Sequence, residues 1–136
     1  MRRRTQNRWH NESGQSLLET ALMIVIIFTV AMWVFEIGQL MYTYTVITDA
    51  ANEGVRYAIV HSGGDVSGTI TRVKNFAATS MHDTSAITVT VNDPGGSYDP
   101  PNIVTVRVSY TYVPSLKVFI TPPTLSAYAE GRMVVQ

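Results

Sequence analysis

Residues 13–38 read SGQSLLETALMIVIIFTVAMWVFEIG, and the reading of this stretch decides the fold. From Thr20 to Phe35 no residue ionises, and apolar character extends from Leu17 to about Met41 with Glu19 and Glu36 as its only charges. The two glutamates stand 17 positions apart. On a helix rising 1.5 Å per residue that is about 25 Å, close to the hydrocarbon thickness of a bilayer. They bracket one membrane crossing, about residues 17–41. A charged side chain at the bilayer centre costs about 2.5 to 3.5 kcal/mol, and less near the ends where it can reach water. A carboxylate held at the mouth of the apolar run therefore calls for a reason.

The flanks orient the crossing. Residues 1–14 hold four arginines, Arg2, Arg3, Arg4 and Arg8, against Glu12, a charge of +3, and the remainder of the 136-residue chain carries −3 to give zero overall. A basic tip before a hydrophobic segment marks the cytoplasmic end under the positive-inside rule. Trp9 lies on the basic side, while Trp33, Tyr42 and Tyr44 lie at the far end, where amphipathic rings favour the interface. Nucleic acid is excluded as a partner because the basic residues of the tip stop at Arg8 and no basic face follows. The absence of cysteine excludes disulfides, thiolate catalysis and cysteine-ligated metals. A cleaved secretory signal competes, with Thr29-Val-Ala31 as a weak cleavage site. Against it, the apolar run continues past Ala31 through Trp33, Val34, Phe35 and Ile37.

Helix signals persist beyond the crossing. Ile47, Ala51, Gly54 and Ala58 form one stripe, and Asp49, Glu53 and Arg56 share the opposite face, with Glu53 and Arg56 at ion-pair spacing. No proline intervenes before Ser62-Gly-Gly64, so the spacing predicts one helix of about 45 residues, some 65 to 70 Å long. Val66, Ile70, Val73, Ala77 and Met81 predict a second short helix with Arg72, Lys74 and Asn75 outward. Ile87, Val89 and Val91 alternate with polar residues, as do Val104, Val106, Val108, Tyr110 and Tyr112, and then Leu125, Ala127, Ala129, Met133 and Val135, predicting three strands. Between them lie a Pro/Gly loop, Asp93–Pro101, whose Tyr98 is a candidate surface contact or part of a passive hairpin connection, and a connection over Ser115–Pro123 with an apolar patch, Val118-Phe-Ile120. The expected fold class is α+β: a long N-terminal helix whose outer half packs with the second helix on a small antiparallel sheet. The expected divisions are a basic cytoplasmic leader (1–14), the long helix (15–61) and an outer α+β domain (62–136).

This order of elements resembles a type IV pilin-like protein. More narrowly, Gly14-Gln-Ser-Leu-Leu-Glu19, Glu36-Ile-Gly38 and Asp49-Ala-Ala-Asn-Glu-Gly-Val-Arg-Tyr-Ala58 resemble the TadE-like family, the minor pseudopilins of tight-adherence (Tad) pili. The resemblance is clearest over residues 14–58. It implies cleavage between Gly14 and Gln15 by a membrane-embedded prepilin peptidase, leaving Gln15 as the new N-terminus and Glu19 as the fifth mature residue. It also implies partners: other Tad pilins and pseudopilins, an inner-membrane assembly platform and the lipid bilayer. The outer domain would be periplasmic, and the chain would enter a fibre used for surface adhesion. The new α-amine of Gln15 and a neighbouring subunit's Glu19 could then neutralise each other, and a paired charge is far cheaper to bury than a lone one. Glu36, Gly38, Glu53, Arg56 and Tyr57 would serve helix interfaces, with Arg56 and Tyr57 holding the helix against the sheet. One position departs from the family pattern: Thr20 stands where an aromatic usually follows the glutamate.

Plainer readings stand beside these. Ser16-Leu-Leu-Glu19 fits a capping box at a helix start, and Gly14 fits a flexible entry residue. His10, His61 and His82 lack ligand spacing, the paired glycines lack the strand–loop–helix pattern of phosphate binding, and no serine sits in a nucleophile elbow. No cofactor or catalytic role is expected. Besides the pseudopilin, the sequence admits an uncleaved single-pass protein with a partner-binding outer domain, and a small domain freed by signal cleavage.

Overall fold

The computed structural model describes residues 9–61, 65–81, 83–92, 103–114 and 121–132, with side chains from Gly14 onward. The basic tip 1–8, Ser62-Gly-Gly64, His82, the loop Asp93–Pro101 with Tyr98, the patch Val118–Ile120, and Met133 and Val135 lie outside the described residues. Helix α1 spans Trp9–Val60 and helix α2 Val66–Ser80, and strands β1 (Ile87–Asn92), β2 (Ile103–Thr111) and β3 (Thr124–Arg132) follow. The chain divides into two compact units, Met1–Ile37 and Gly38–Gln136.

Helix α1 is unbroken over 52 residues because nothing in it opposes the helix: it contains no proline, and its threonines satisfy their hydroxyls within it. The Thr20 hydroxyl donates to the Ser16 carbonyl at 2.9 Å and the Thr29 hydroxyl to the Val25 carbonyl at 2.8 Å. Such back-bonding lets a hydroxyl sit in hydrocarbon without an unmet donor. Thr43, Thr45 and Thr48 repeat the device farther along. From Gly14 onward the helix is long and apolar enough to cross a membrane. In the first unit its large side chains, Leu17 to Phe35 and Ile37, are exposed, as a lipid-facing segment requires.

In the second unit the same helix turns amphipathic. Ile47, Ala51, Gly54 and Ala58 are buried, as their spacing predicts, joined by Ala50 and Val55. Helix α2 starts at Asp65, whose carboxylate accepts from the Gly68 amide at 2.8 Å, and ends at Met81, whose amide bonds the Ala77 carbonyl. Its buried residues are Thr69, Val73 and Ala77. Val66 and Ile70, expected on the buried stripe, are only half-buried. Thr69 takes the inner place because its hydroxyl bonds the Asp65 carbonyl at 3.0 Å, which removes the cost of burying it.

The sheet runs β1–β2–β3, antiparallel throughout. Val89 faces Val108 and Val91 faces Val106 across the first ladder; Val106 faces Ala129 and Val108 faces Ala127 across the second. The inward row closes on the two helices to form the core, where Ile47, Val73, Val104, Val106 and Val108 are fully buried. Each is worth about 1.5 to 3 kcal/mol. The layout is the α+β, pilin-like one the sequence predicts.

Candidate functional site

Two segments of α1 carry the residues singled out by sequence, one in each unit. In the first, Gly14, Gln15 and Glu19 are all exposed on the helix, and Gln15 and Glu19, four residues apart, share a face. The helix begins upstream at Trp9 and passes straight through this segment. Ser16 therefore does not open the helix, and the capping-box reading of Ser16 and Glu19 does not describe this chain. Ser16 instead uses its carbonyl to hold the Thr20 hydroxyl. Packing gives no reason for Gly14: a Cβ added there would meet nothing within 4 Å. A glycine inside a helix costs about 1 kcal/mol relative to alanine, so its presence at 14 asks for an explanation outside this chain's own packing.

Glu36 behaves differently from its neighbours. It is 3% exposed, whereas Phe35 and Ile37 on either side are largely exposed. Gly38, like Gly14, has open space where a side chain would be.

In the second unit the hydrogen bonds and ion pairs of Glu53, Arg56 and Tyr57 run within α1 and to α2 and its cap. Arg56 points to water, its side chain 82% exposed and its Nη1 3.7 Å from Glu53 Oε2. Glu53 Oε1 instead receives Arg72 of α2 through both Nε, at 3.0 Å, and Nη2, at 2.7 Å. Tyr57 donates its hydroxyl to Asp65 Oδ2 at 3.2 Å and stacks on His61, ring centroids 4.0 Å apart. Between these two contacts Gly54 is buried against Val73 of α2 and Val106 of β2. The Glu-Gly-Val-Arg-Tyr-Ala segment is thus the seat of α2: an ion pair at one end, a missing side chain in the middle, a phenol at the other. Gly68 belongs to the same arrangement, since a Cβ there would strike the Asp65 carboxylate and the Tyr57 hydroxyl.

The sequence reading missed Arg72 and Asp65 as partners. Glu53 and Arg72 are 19 residues apart across the Ser62-Gly-Gly64 break, and helical spacing predicts pairs only within one helix. The Tyr57–His61 stack lies at i, i+4 and was legible in principle. The Tyr42 hydroxyl, which reaches the Ser80 carbonyl at 3.3 Å, gave no signal.

The electrostatics follow the contacts. The Gly68 amide, with the Ser67 hydroxyl, holds the Asp65 carboxyl below its ordinary 3.8. Desolvation, with the Asp65 bond, raises the Tyr57 phenol above 10.0. Because the folded pKa of Asp65 is depressed, its cap contributes fully above pH 3.8 and is lost as pH falls through the lower folded value. Wild type should therefore lose more melting temperature than Asp65→Asn when pH is lowered from 5 to 2.5; equal slopes would remove the cap from the account. The Glu53–Arg72 pair is half-exposed on the arginine side, so Arg72→Met is expected to cost only about 1 kcal/mol, about 4–8 °C in melting temperature for a domain this size. A thermal melt followed by circular dichroism measures it.

Among the described residues no cluster of three or more His, Asp or Glu is placed to hold a metal ion. Residues 14–56 match the family model described as TadE-like protein. Neither a curated protein nor a solved structure gives a significant match.

Proposed function

We propose that this chain, TadE-like over residues 14–56, is a minor pseudopilin of a tight-adherence pilus, cut after Gly14 by a prepilin peptidase and assembled through its N-terminal helix. The observation that carries the reading is that the family segment begins at the glycine itself and runs through the apolar crossing into the seat of α2. The role is structural: the chain is a protease's substrate and a fibre's component, not a catalyst.

The unexplained glycine supports the processing step. Gly14 has no packing role, and a peptidase cleft favours a residue whose backbone can be approached closely. Cleavage there removes the arginine-rich tip and places the ammonium of Gln15 one helical turn from Glu19. In a bundle of such helices association rests on packing and on polar pairs, since lipid gives no hydrophobic drive between them. An ammonium and a carboxylate from adjoining subunits then satisfy each other at the apolar boundary. In this reading the tip stays cytoplasmic before cleavage, the crossing lies in the inner membrane, and the second unit faces the periplasm.

A second reading has one observation in its favour. The Gly14–Gln15 bond lies inside a continuous helix, and a protease needs an extended substrate, so cleavage requires local unwinding of the first turns. An uncleaved anchor with a partner-binding outer domain needs no such step. The intact mass of the protein extracted from membranes separates the two: loss of residues 1–14 is expected, and recovery of the full chain would transfer the protein to the second reading.

A further inference from the structure

The side of the sheet turned away from the helices is largely polar, and nothing in the pseudopilin reading uses it. At its centre Thr90, Arg107 and Tyr128 lie opposite one another across β1, β2 and β3, a row about 10 Å across. All three are exposed, Tyr128 at 64%. Arg107 makes no ion pair among the described residues. One position along, Ser109 and Ser126 meet hydroxyl to hydroxyl at 3.5 Å.

Most partners do not fit this composition. A protein interface needs an apolar centre, and the outward positions of the three strands hold one aromatic ring, Tyr128, and one aliphatic side chain, Ile103, which stands at the start of β2 and not at the centre of the face. Nucleic acid needs several cations to displace its counterions, and this face offers two arginines, Arg107 and Arg132, beside Glu130. A lipid surface needs both apolar anchors and positive charge. A sugar polymer needs what is present. The electron-rich face of an exposed phenol ring attracts the C–H face of a pyranose, hydroxyls donate to and accept from its hydroxyls, and an exposed guanidinium forks onto a carboxylate.

We propose that the outward face of the sheet, centred on the Thr90–Arg107–Tyr128 row, binds an acidic polysaccharide through its uronate groups. Tyr128 stacks on one ring while Arg107 grips the carboxylate of that ring or the next. The inference is independent of processing and assembly, since neither Gly14 nor Glu19 takes part.

The test uses the full chain in detergent micelles, titrated calorimetrically with a galacturonic acid hexamer, with its methyl ester and with a neutral glucose hexamer. Saturable submillimolar binding of the acid is expected, weakened by salt and lost for the ester and the neutral sugar. Arg107→Gln and Tyr128→Ser should each weaken it about tenfold or more, Arg107→Lys less than Arg107→Gln, and Arg56→Gln, away from the face, not at all. Because the substituted residues point outward, unchanged circular dichroism melts are expected for each. Absence of binding by wild type, equal affinity for the ester, or indifference to both Arg107→Gln and Tyr128→Ser in folded protein would each overturn the proposal.

Discussion

Gly54→Leu is expected to abolish the cooperative unfolding of the second unit. Gly54 is where α1, α2 and β2 come closest: a Cβ at this position would lie 2.5 Å from Val73 Cγ2 and 3.2 Å from Val106 Cγ1. Both valines are fully buried, and a β-branched side chain has little freedom to turn away, so the helices and the sheet must move apart. Overpacking of this kind costs about 1 to 3 kcal/mol for small additions. For Gly54→Ala, part of that is offset by the helix propensity gained, about 1 kcal/mol, leaving a net loss of about 1 kcal/mol. Leucine adds three more carbons to the same gap and is expected to exceed about 3 kcal/mol. That is a large share of the 5 to 15 kcal/mol typical of a whole domain. Gly38→Ala is the matching control. Nothing lies within 4 Å of its added carbon, so it should be neutral or slightly stabilising. Thermal melts of the three variants, with near-ultraviolet circular dichroism for packing, give the order. If Gly54→Leu melts like wild type, the seat of α2 is not where the geometry puts it.

The same position shows how far the chain's pattern alone carries. Gly54 falls on the stripe with Ile47, Ala51 and Ala58, so periodicity assigned it correctly to the buried face. Periodicity could not say that two other elements converge on it. The strands were legible for the same reason: alternation of valines with threonines leaves one register in which the valines share a face. What escaped was everything that depends on the path between elements. Arg72 is outward on α2 by its own helix, and it is also outward on the side where Glu53 waits, a fact set by the crossing of the two helices. Arg56, expected to hold the helix against the sheet, lies on the face opposite the buried stripe and goes to water, with Glu53 as a distant partner at 3.7 Å. Thr69 displaced Ile70 from the inner place because a hydroxyl bonded to the preceding turn packs as a small apolar group does. Helix boundaries failed at the N-terminus, where Ser16 carries a helix-start signature inside a sequence that is already helical.

Glu19→Ala is expected to leave processing intact and to remove the protein from the fibre. The two halves of the expectation rest on different physics. In the processing reading cleavage depends on Gly14 and on access to the bond after it, and Glu19 is exposed on the helix beyond that bond, so the mature form should still begin at Gln15. In the proposed assembly the first helical turns of several subunits would share an apolar core, where the ammonium of Gln15 would need a carboxylate. Breaking a buried ion pair by deleting one partner costs about 3 to 5 kcal/mol, because the remaining charge is left uncompensated. At 1.4 kcal/mol per factor of ten, incorporation should fall by about a hundredfold or more, while the amount of mature protein in the membrane stays level. Glu19→Asp keeps the charge on a shorter stem and should recover part of the loss. Mass spectrometry of the membrane pool and immunodetection in sheared fibres read the two halves separately. A Glu19→Ala protein found in fibres at wild-type levels would disprove the charge pairing while leaving the cleavage site standing. One that stays uncut would instead place Glu19 in the peptidase's recognition of the segment, which is a different role for the carboxylate at the mouth of the helix.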